Sequence, residues 1–343
     1  LFAAQFVQNP WYPVAEPSDA QASADMADAS RDLTAKLVKL VQAMQEIKAE
    51  EDSRVNSYEI FVNQKQTHIR NSRGVDVTFS GFDCEIEVVT NSRKDDHEIE
   101  IYKDLRFSDK SAEKIIAEVR GMFHTGRQRL NAVPTRQNEH ADVLLSGDAV
   151  GSFFQYFAMH TNASYQYMGV AKAKIGEAIT GADADPLNIR LVPTLDGSAK
   201  NAPYDETGMP VAERVLFENG ICRSYWGSLQ HAHYIGMKDT TSMNNMVVEG
   251  GSKTLDELRS MPHIEITDFS AFDMDAVSGT CGGEIRLAYE SNGTTSHPTT
   301  SGSLSARYDD VLKNLTFSKE TQQINNRVVP CAVLLRDVTV AGE

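Results

Sequence analysis

The hydrophobic period changes twice within the first third of the chain, and few folds can accommodate that. Leu33, Leu37, Leu40, Val41, Met44 and Ile47 recur at helical spacing and make one apolar face of an amphipathic helix that runs to about Glu51. From Val55 to Lys103 the period drops to two: Ile60 and Val62, then Val75, Val77 and Phe79, then Ile86 and Val88, then Ile99 and Ile101. With Asn71-Ser72-Arg73-Gly74 and Asn91-Ser92-Arg93-Lys94 as turns, the pattern predicts an antiparallel meander of four strands. Helical spacing returns over Ser111 to Leu130, where Ile115, Ile116, Val119, Met122 and Phe123 share a face. A helix, a meander and a helix bury their apolar faces by stacking as one α+β layer.

Pro134 to His140 is polar and turn-prone, and the texture changes beyond it. The chain has 343 residues, enough for two cores. The expected division is an N-terminal α+β domain over residues 1–136 and a strand-rich C-terminal domain over 137–343. The second half opens with a short strand, Val143-Leu144-Leu145, and a buried helix from Ala149 to His160 carrying Val150, Phe153, Phe154 and Phe157. Strands are expected at Asn188 to Val192, Ala212 to Glu218, Ile221 to Trp226, Asn244 to Glu249, His263 to Asp268, Glu284 to Glu290 and Ala332 to Val340. Asn219-Gly220 signals a type I′ hairpin, and Thr254 to Glu257 reads as a capping box. Residues 1–27, with Pro10, Pro13 and Pro17, read as an irregular lead-in anchored by Phe6, Trp11 and Tyr12. The chain starts at Leu1 rather than at Met, so the first domain is expected to be incomplete at its start.

Charge and run lengths exclude several functions. With 33 Lys and Arg against 48 Asp and Glu, the net charge of −15 opposes direct nucleic-acid binding, which needs a clustered positive face. The longest apolar run, Val328 to Leu335, is too short to span a bilayer, and no secretion signal opens the chain. A cytoplasmic location follows as the default. Cys84, Cys222, Cys281 and Cys331 lie far apart with no C-x-x-C, so the expectation is free thiols in apolar surroundings, Cys331 among them.

No G-x-S-x-G elbow, P-loop or H-E-x-x-H pair is present. His231 and His233 stand two apart on a helix suggested by Gly227 to Ile235 and point in different directions, which suits structure better than metal binding. Asp183-Ala184-Asp185 opens like a calcium loop, but Pro186 follows and the rest of the loop is missing. Gly250-Gly251-Ser252 before the capped helix is a candidate peptide- or anion-binding turn, a simple turn explaining the same residues. Cys281-Gly282-Gly283-Glu284 suggests a close approach or a bulge.

Read as an ordered series, these pieces resemble the TldD/PmbA family, the so-called modulators of DNA gyrase. Val143 to Ser146 ahead of Phe153-Phe154 is similar to the family's strand and core helix. Tyr204-Asp205-Glu206-Thr-Gly-Met-Pro210, Val215-Leu-Phe-Glu-Asn-Gly220 and Ser224-Tyr225 look like its next block. Asn244-Asn245 through Gly250-Gly251, Ile264 to Asp268, Ser278-Gly279-Thr280, Glu290 to Gly293, Leu312 to Leu315 and Pro330 to Gly342 look like the remainder. The resemblance covers nearly the whole chain and carries its weight in order and spacing.

One kind of member, TldD-like, carries H-E-x-x-x-H on the core helix and a cysteine near the C-terminus, and is a zinc metallopeptidase. The other, PmbA-like or TldE-like, lacks these ligands and pairs with the first. Here Gln155, Tyr156 and His160 stand where His, Glu and His would, and residues 317–329 hold no cysteine. The resemblance therefore implies a non-catalytic subunit: an α+β protein with no cofactor of its own, zinc residing in a TldD-like partner. Gln155, Tyr156 and His160 would be vestigial positions lining a peptide-accepting cavity, and the system would cut unfolded or small peptides. Two rival readings stay open. One is an active zinc enzyme with unusual ligands, such as His160 with His231 or His233; the other is a homodimeric peptide-binding protein without a peptidase partner.

Overall fold

The computed structural model describes residues 11–18 and 33–343. The first helix, Leu33–Gln45, stops six residues before the expected Glu51. It buries Leu40, Ala43 and Met44, whereas Leu33 and Leu37 stay about 40% exposed, so only its C-terminal half is core. The meander has three strands, not four, in the order Ser53–Arg70, Asp76–Lys94, His97–Phe107. Val77 to Phe79 and Ile86 to Val88 fall along one continuous strand, the central one, whose two faces are covered by different partners. Cys84, Ile86 and Val88 pack against the helices, while further along the hairpin Phe79 meets Tyr204 at 6.1 Å, in the second half of the chain. The second turn is Asp95-Asp96, with Asp95 at φ 53, rather than Asn91 to Lys94, which lies inside the strand.

The helix Ala112–Leu130 matches the expected Ser111 start: the Ser111 hydroxyl accepts the Lys114 N–H, a cap worth about 1 kcal/mol. Its Ile115, Val119, Met122 and Phe123 close the N-terminal core with Leu40, Met44, Ile86, Val88, Leu105 and Phe107. Each such large side chain, wholly withdrawn from water, contributes about 1.5–3 kcal/mol.

The rest of the chain builds two sheets. One has eight strands and includes Asn138–Ser146, Pro262–Asp275, Thr280–Asn292, Ser303–Arg307 and Ala332–Ala341. Because Pro262–Asp275 pairs with both Asn138–Ser146 and Thr280–Asn292, these five strands close into a ring. The other sheet has six, among them Ile189–Val192, Arg214–Glu218, Asn245–Val248, Thr321–Ile324 and Arg327–Pro330. The core helix, Ala149–His160, packs into a cluster with Val143, Ile266 and Leu335 of the first sheet and Leu191, Phe217 and Val329 of the second. Leu144 and Leu334 face the other way, onto Leu258, which is why Val143-Leu144-Leu145 is unbroken in hydrophobicity.

Local signals behaved as their chemistry requires. Asn219 and Gly220 both take positive φ, 50 and 76, as a type I′ turn demands, and Thr254 with Glu257 forms the reciprocal capping box. The Val328 to Leu335 run divides at Cys331 between the two sheets, leaving that thiol half-buried rather than core, while Cys84, Cys222 and Cys281 are buried. Register breaks in the strand opposite Gly283 fit the bulge reading of Cys281 to Glu284. Trp11 and Tyr12 meet His233 and Tyr234 edge-on at 6.4 and 6.1 Å; Phe6 lies outside the described residues. No helix among the described residues is long and apolar enough to cross a membrane.

Candidate functional site

The core helix owes its position to aromatic packing. Phe153, Phe154, Tyr156 and Phe157 are fully buried, and Tyr308 stacks on both Phe153 (4.9 Å between ring centres) and Tyr156 (3.7 Å, 5° between planes). The Tyr308 hydroxyl donates to the Phe153 carbonyl at 2.9 Å. Few polar groups on this helix are free to do chemistry, and the three candidate positions differ sharply in their surroundings.

Gln155 is half-buried, and its Oε1 accepts a hydrogen bond from Arg327 Nη2 at 2.8 Å. Tyr156 is wholly enclosed, with its ring between Tyr308 and His160 and its hydroxyl without a partner. Burial, with the Asp309 charge added, raises its pKa well above the ordinary phenol value. His160 is also wholly enclosed; its Nδ1 accepts the Lys172 N–H at 3.0 Å, which leaves the ring proton on Nε2. Nε2 has no well-formed hydrogen bond, the Ala276 carbonyl being its polar neighbour. Burial first, and the nearby Lys172 charge second, push the His160 pKa down to about 4, so the ring is neutral at physiological pH. Gln166 braces the same loop by donating to the carbonyls of His160 and Ala173. Tyr156 and His160 thus face the closed core, and Gln155 alone of the three faces a half-open side.

These residues do not fit a zinc ion. A catalytic site needs three protein ligands around an open position. Here one candidate oxygen is held by a guanidinium, one position is a stacked phenol, and the remaining imidazole spends its lone pair on a backbone amide. Among the described residues no three His, Cys, Asp or Glu side chains gather into a group that could hold a metal. His231 and His233, on the short helix Leu229–Tyr234, diverge as the spacing predicts, His231 toward Tyr167 and His233 toward Trp11.

The second candidate, Gly250-Gly251-Ser252, is packed against its own chain. A Cβ on Gly250 would come within 2.0 Å of the Lys319 carbonyl oxygen, and one on Gly251 within 2.2 Å of that of Phe317. The glycines therefore permit a close backbone approach. Ser252 donates to Asp185 Oδ1 at 2.5 Å, and Asp185 Oδ2 accepts the Phe317 N–H at 2.9 Å, so the Asp183 to Asp185 turn is a staple for this crossing.

Sequence reasoning missed Arg327 and the space beside it. Two adjoining cavities, of about 870 and 620 Å³, lie where the core helix's first turn faces the N-terminal unit; Lys103, Glu118, Asp148 and Ser152 line both, and Arg327 lines the smaller. The only hint in the sequence was a lone arginine entering the apolar Val328-Val329 strand after an Asn325-Asn326 turn.

Residues 138–342 match the family described as PmbA/TldA metallopeptidase C-terminal domain. No curated protein sequence matches the chain. Among solved structures, TldE from Thermococcus kodakarensis is similar over 98% of this chain and 80% of its own, with TM-score 0.73 and 18% identity. A putative modulator of a DNA gyrase from Thermotoga maritima is similar over 99% of this chain and 82% of its own, with TM-score 0.78 and 16% identity. A putative modulator of DNA gyrase from Bacteroides thetaiotaomicron covers 97% of this chain and 76% of its own, with TM-score 0.69 and 16% identity. At such identities the likeness is one of fold, and with the sequence match over more than half its length the chain belongs to the PmbA/TldD family.

Proposed function

We propose that this chain is the non-catalytic, TldE-like half of a two-chain, cytoplasmic metallopeptidase system, paired with a zinc-bearing TldD-like subunit and contributing part of a cavity that accepts unfolded or small peptides. The observation that carries the reading is the commitment of the core helix: Gln155 is bonded to Arg327, Tyr156 is stacked on Tyr308, and neutral His160 holds the Lys172 amide. Nothing at those positions can bind zinc or take a proton from a metal-bound water. The cleft of about 870 and 620 Å³ has the size of a site for an extended peptide segment. We assign residues 1–136 and 137–343 as its two domains, each with its own apolar core.

The test is reconstitution. The untagged chain is mixed with the TldD-like chain of the same cell, and hydrolysis of a quenched fluorescent, unstructured peptide is followed. The expected result is a stable complex in which the mixture cuts faster than either chain alone and this chain alone does not cut. Zinc-dependent cutting by this chain alone would overturn the reading. Recovery of nothing but copies of itself would favour a homodimeric peptide-binding protein.

A further inference from the structure

The smaller cavity holds a charge without a counter-charge. Of its acidic lining residues, Asp104 faces Arg106, Asp109 faces Lys36, Glu118 faces Lys103 and Lys110, and Asp148 faces Lys103; Asp196 is exposed at the rim. Arg327 is different. It is half-buried, its one side-chain hydrogen bond goes to the neutral Gln155, its Nε is enclosed without a partner, and no carboxylate among the described residues stands at ion-pair distance. Burial lowers its pKa from the ordinary arginine value with no acidic group offsetting it. Its enclosed Nε has neither water nor an acceptor, a cost that an arriving anion would offset. Its planar fork matches a carboxylate, two parallel N–H donors to two oxygens. Gln155 holds the fork through Nη2, and Ser152 and Asn325 line the same cavity.

We propose that Arg327, oriented by Gln155, is a carboxylate-binding subsite that anchors an acidic group of a peptide lying in the cleft. The proposal rests on the peptide-accepting reading above and adds to it the ligand chemistry. Gln155, standing where a zinc ligand would be in the catalytic relatives, acquires a different task here: it is a positioning residue for a cation that reads substrate charge.

The test uses three fluorescein-labelled peptides of one unstructured sequence, ending in a free carboxylate, in a C-terminal amide, or in a C-terminal amide with glutamate as the last residue. Each is titrated by fluorescence anisotropy against the zinc-stripped complex of the TldD-like chain with the wild-type chain, with Arg327→Gln or with Gln155→Leu. The wild type is expected to bind one or both carboxylate-bearing peptides on the order of tenfold tighter than the neutral amide. Preference for the first alone identifies the terminal carboxylate, and for the third alone an acidic side chain. Arg327→Gln should abolish the preference and Gln155→Leu should weaken it. Equal binding of all three peptides, or a preference that survives Arg327→Gln, overturns the subsite and leaves the peptide reading standing. Failure to bind any peptide overturns both. Should Arg327→Gln not fold, loss of preference in a folded Gln155→Leu carries the support, and a full preference there counts against it.

Discussion

His160 is the residue whose environment makes the sharpest quantitative statement. The unfolded chain takes a proton on this ring near pH 6.5 and the folded protein only near 4, so between those values the unfolded state binds more protons and acidification destabilises the fold. A shift of that size corresponds to about 3 kcal/mol. Urea denaturation at pH 7 and pH 4.5 should therefore show the wild type losing about 2–3 kcal/mol more than His160→Gln, whose amide carries no titrating proton. Equal losses would mean that the ring is accessible to protons in the fold. The neighbouring tyrosines should separate cleanly. Tyr156→Phe removes a hydroxyl without a partner and should be neutral or slightly stabilising, whereas Tyr308→Phe breaks the bond to the Phe153 carbonyl and should cost about 1–2 kcal/mol. At this scale the sequence named the residues and not their roles. That Gln155, Tyr156 and His160 depart from a metal-binding pattern was legible; that Arg327 would reach Gln155 from 172 positions away was not, because no local pattern encodes a long-range pair.

Among elements, the strand Asp76–Lys94 shows where pattern reading misleads. Its apolar residues change phase between Phe79 and Ile86, and on the premise of one buried face that reads as a break between strands. The strand instead runs on, and the hairpin changes partner: helices cover Cys84, Ile86 and Val88, and the 204–208 segment lies against the far part. Gly208 sits at that contact with φ +85, and a Cβ there would meet Val75 Cγ1 at 2.4 Å. Gly208→Ala should destabilise by about 1–2 kcal/mol, through strain in the left-handed region and overpacking. Hydrogen exchange should quicken in the far part of the hairpin, around residues 66–80, and stay unchanged around 84–92. Uniform quickening would refute the division of the hairpin between two partners. Helices and caps were the best-read elements, as with Ser111 and Thr254, because their signals are local. The closed ring of five strands was unreadable, since Asn138–Ser146 pairs with strands more than 100 residues away.

For the whole molecule, a net charge of −15 goes with two apolar cores and, among the described residues, no cluster of His, Cys, Asp or Glu that could hold a metal. The net charge speaks against direct nucleic-acid binding by this chain. The cleft between the first turn of the core helix and the N-terminal unit includes the Lys103 to Asp148 ion pair at 3.7 Å. Both partners are part-exposed, so Asp148→Asn should change stability by less than about 1 kcal/mol while altering the charge presented to a ligand in the cleft. The central claim is that this chain brings no metal of its own. The measurement that tests it most directly is zinc per chain by elemental mass spectrometry on untagged protein, purified alone and in complex with the proposed TldD-like partner. The account predicts far less than one zinc per chain for the protein alone, with metal in the complex tracking the partner. About one tightly held zinc in the isolated chain would contradict it.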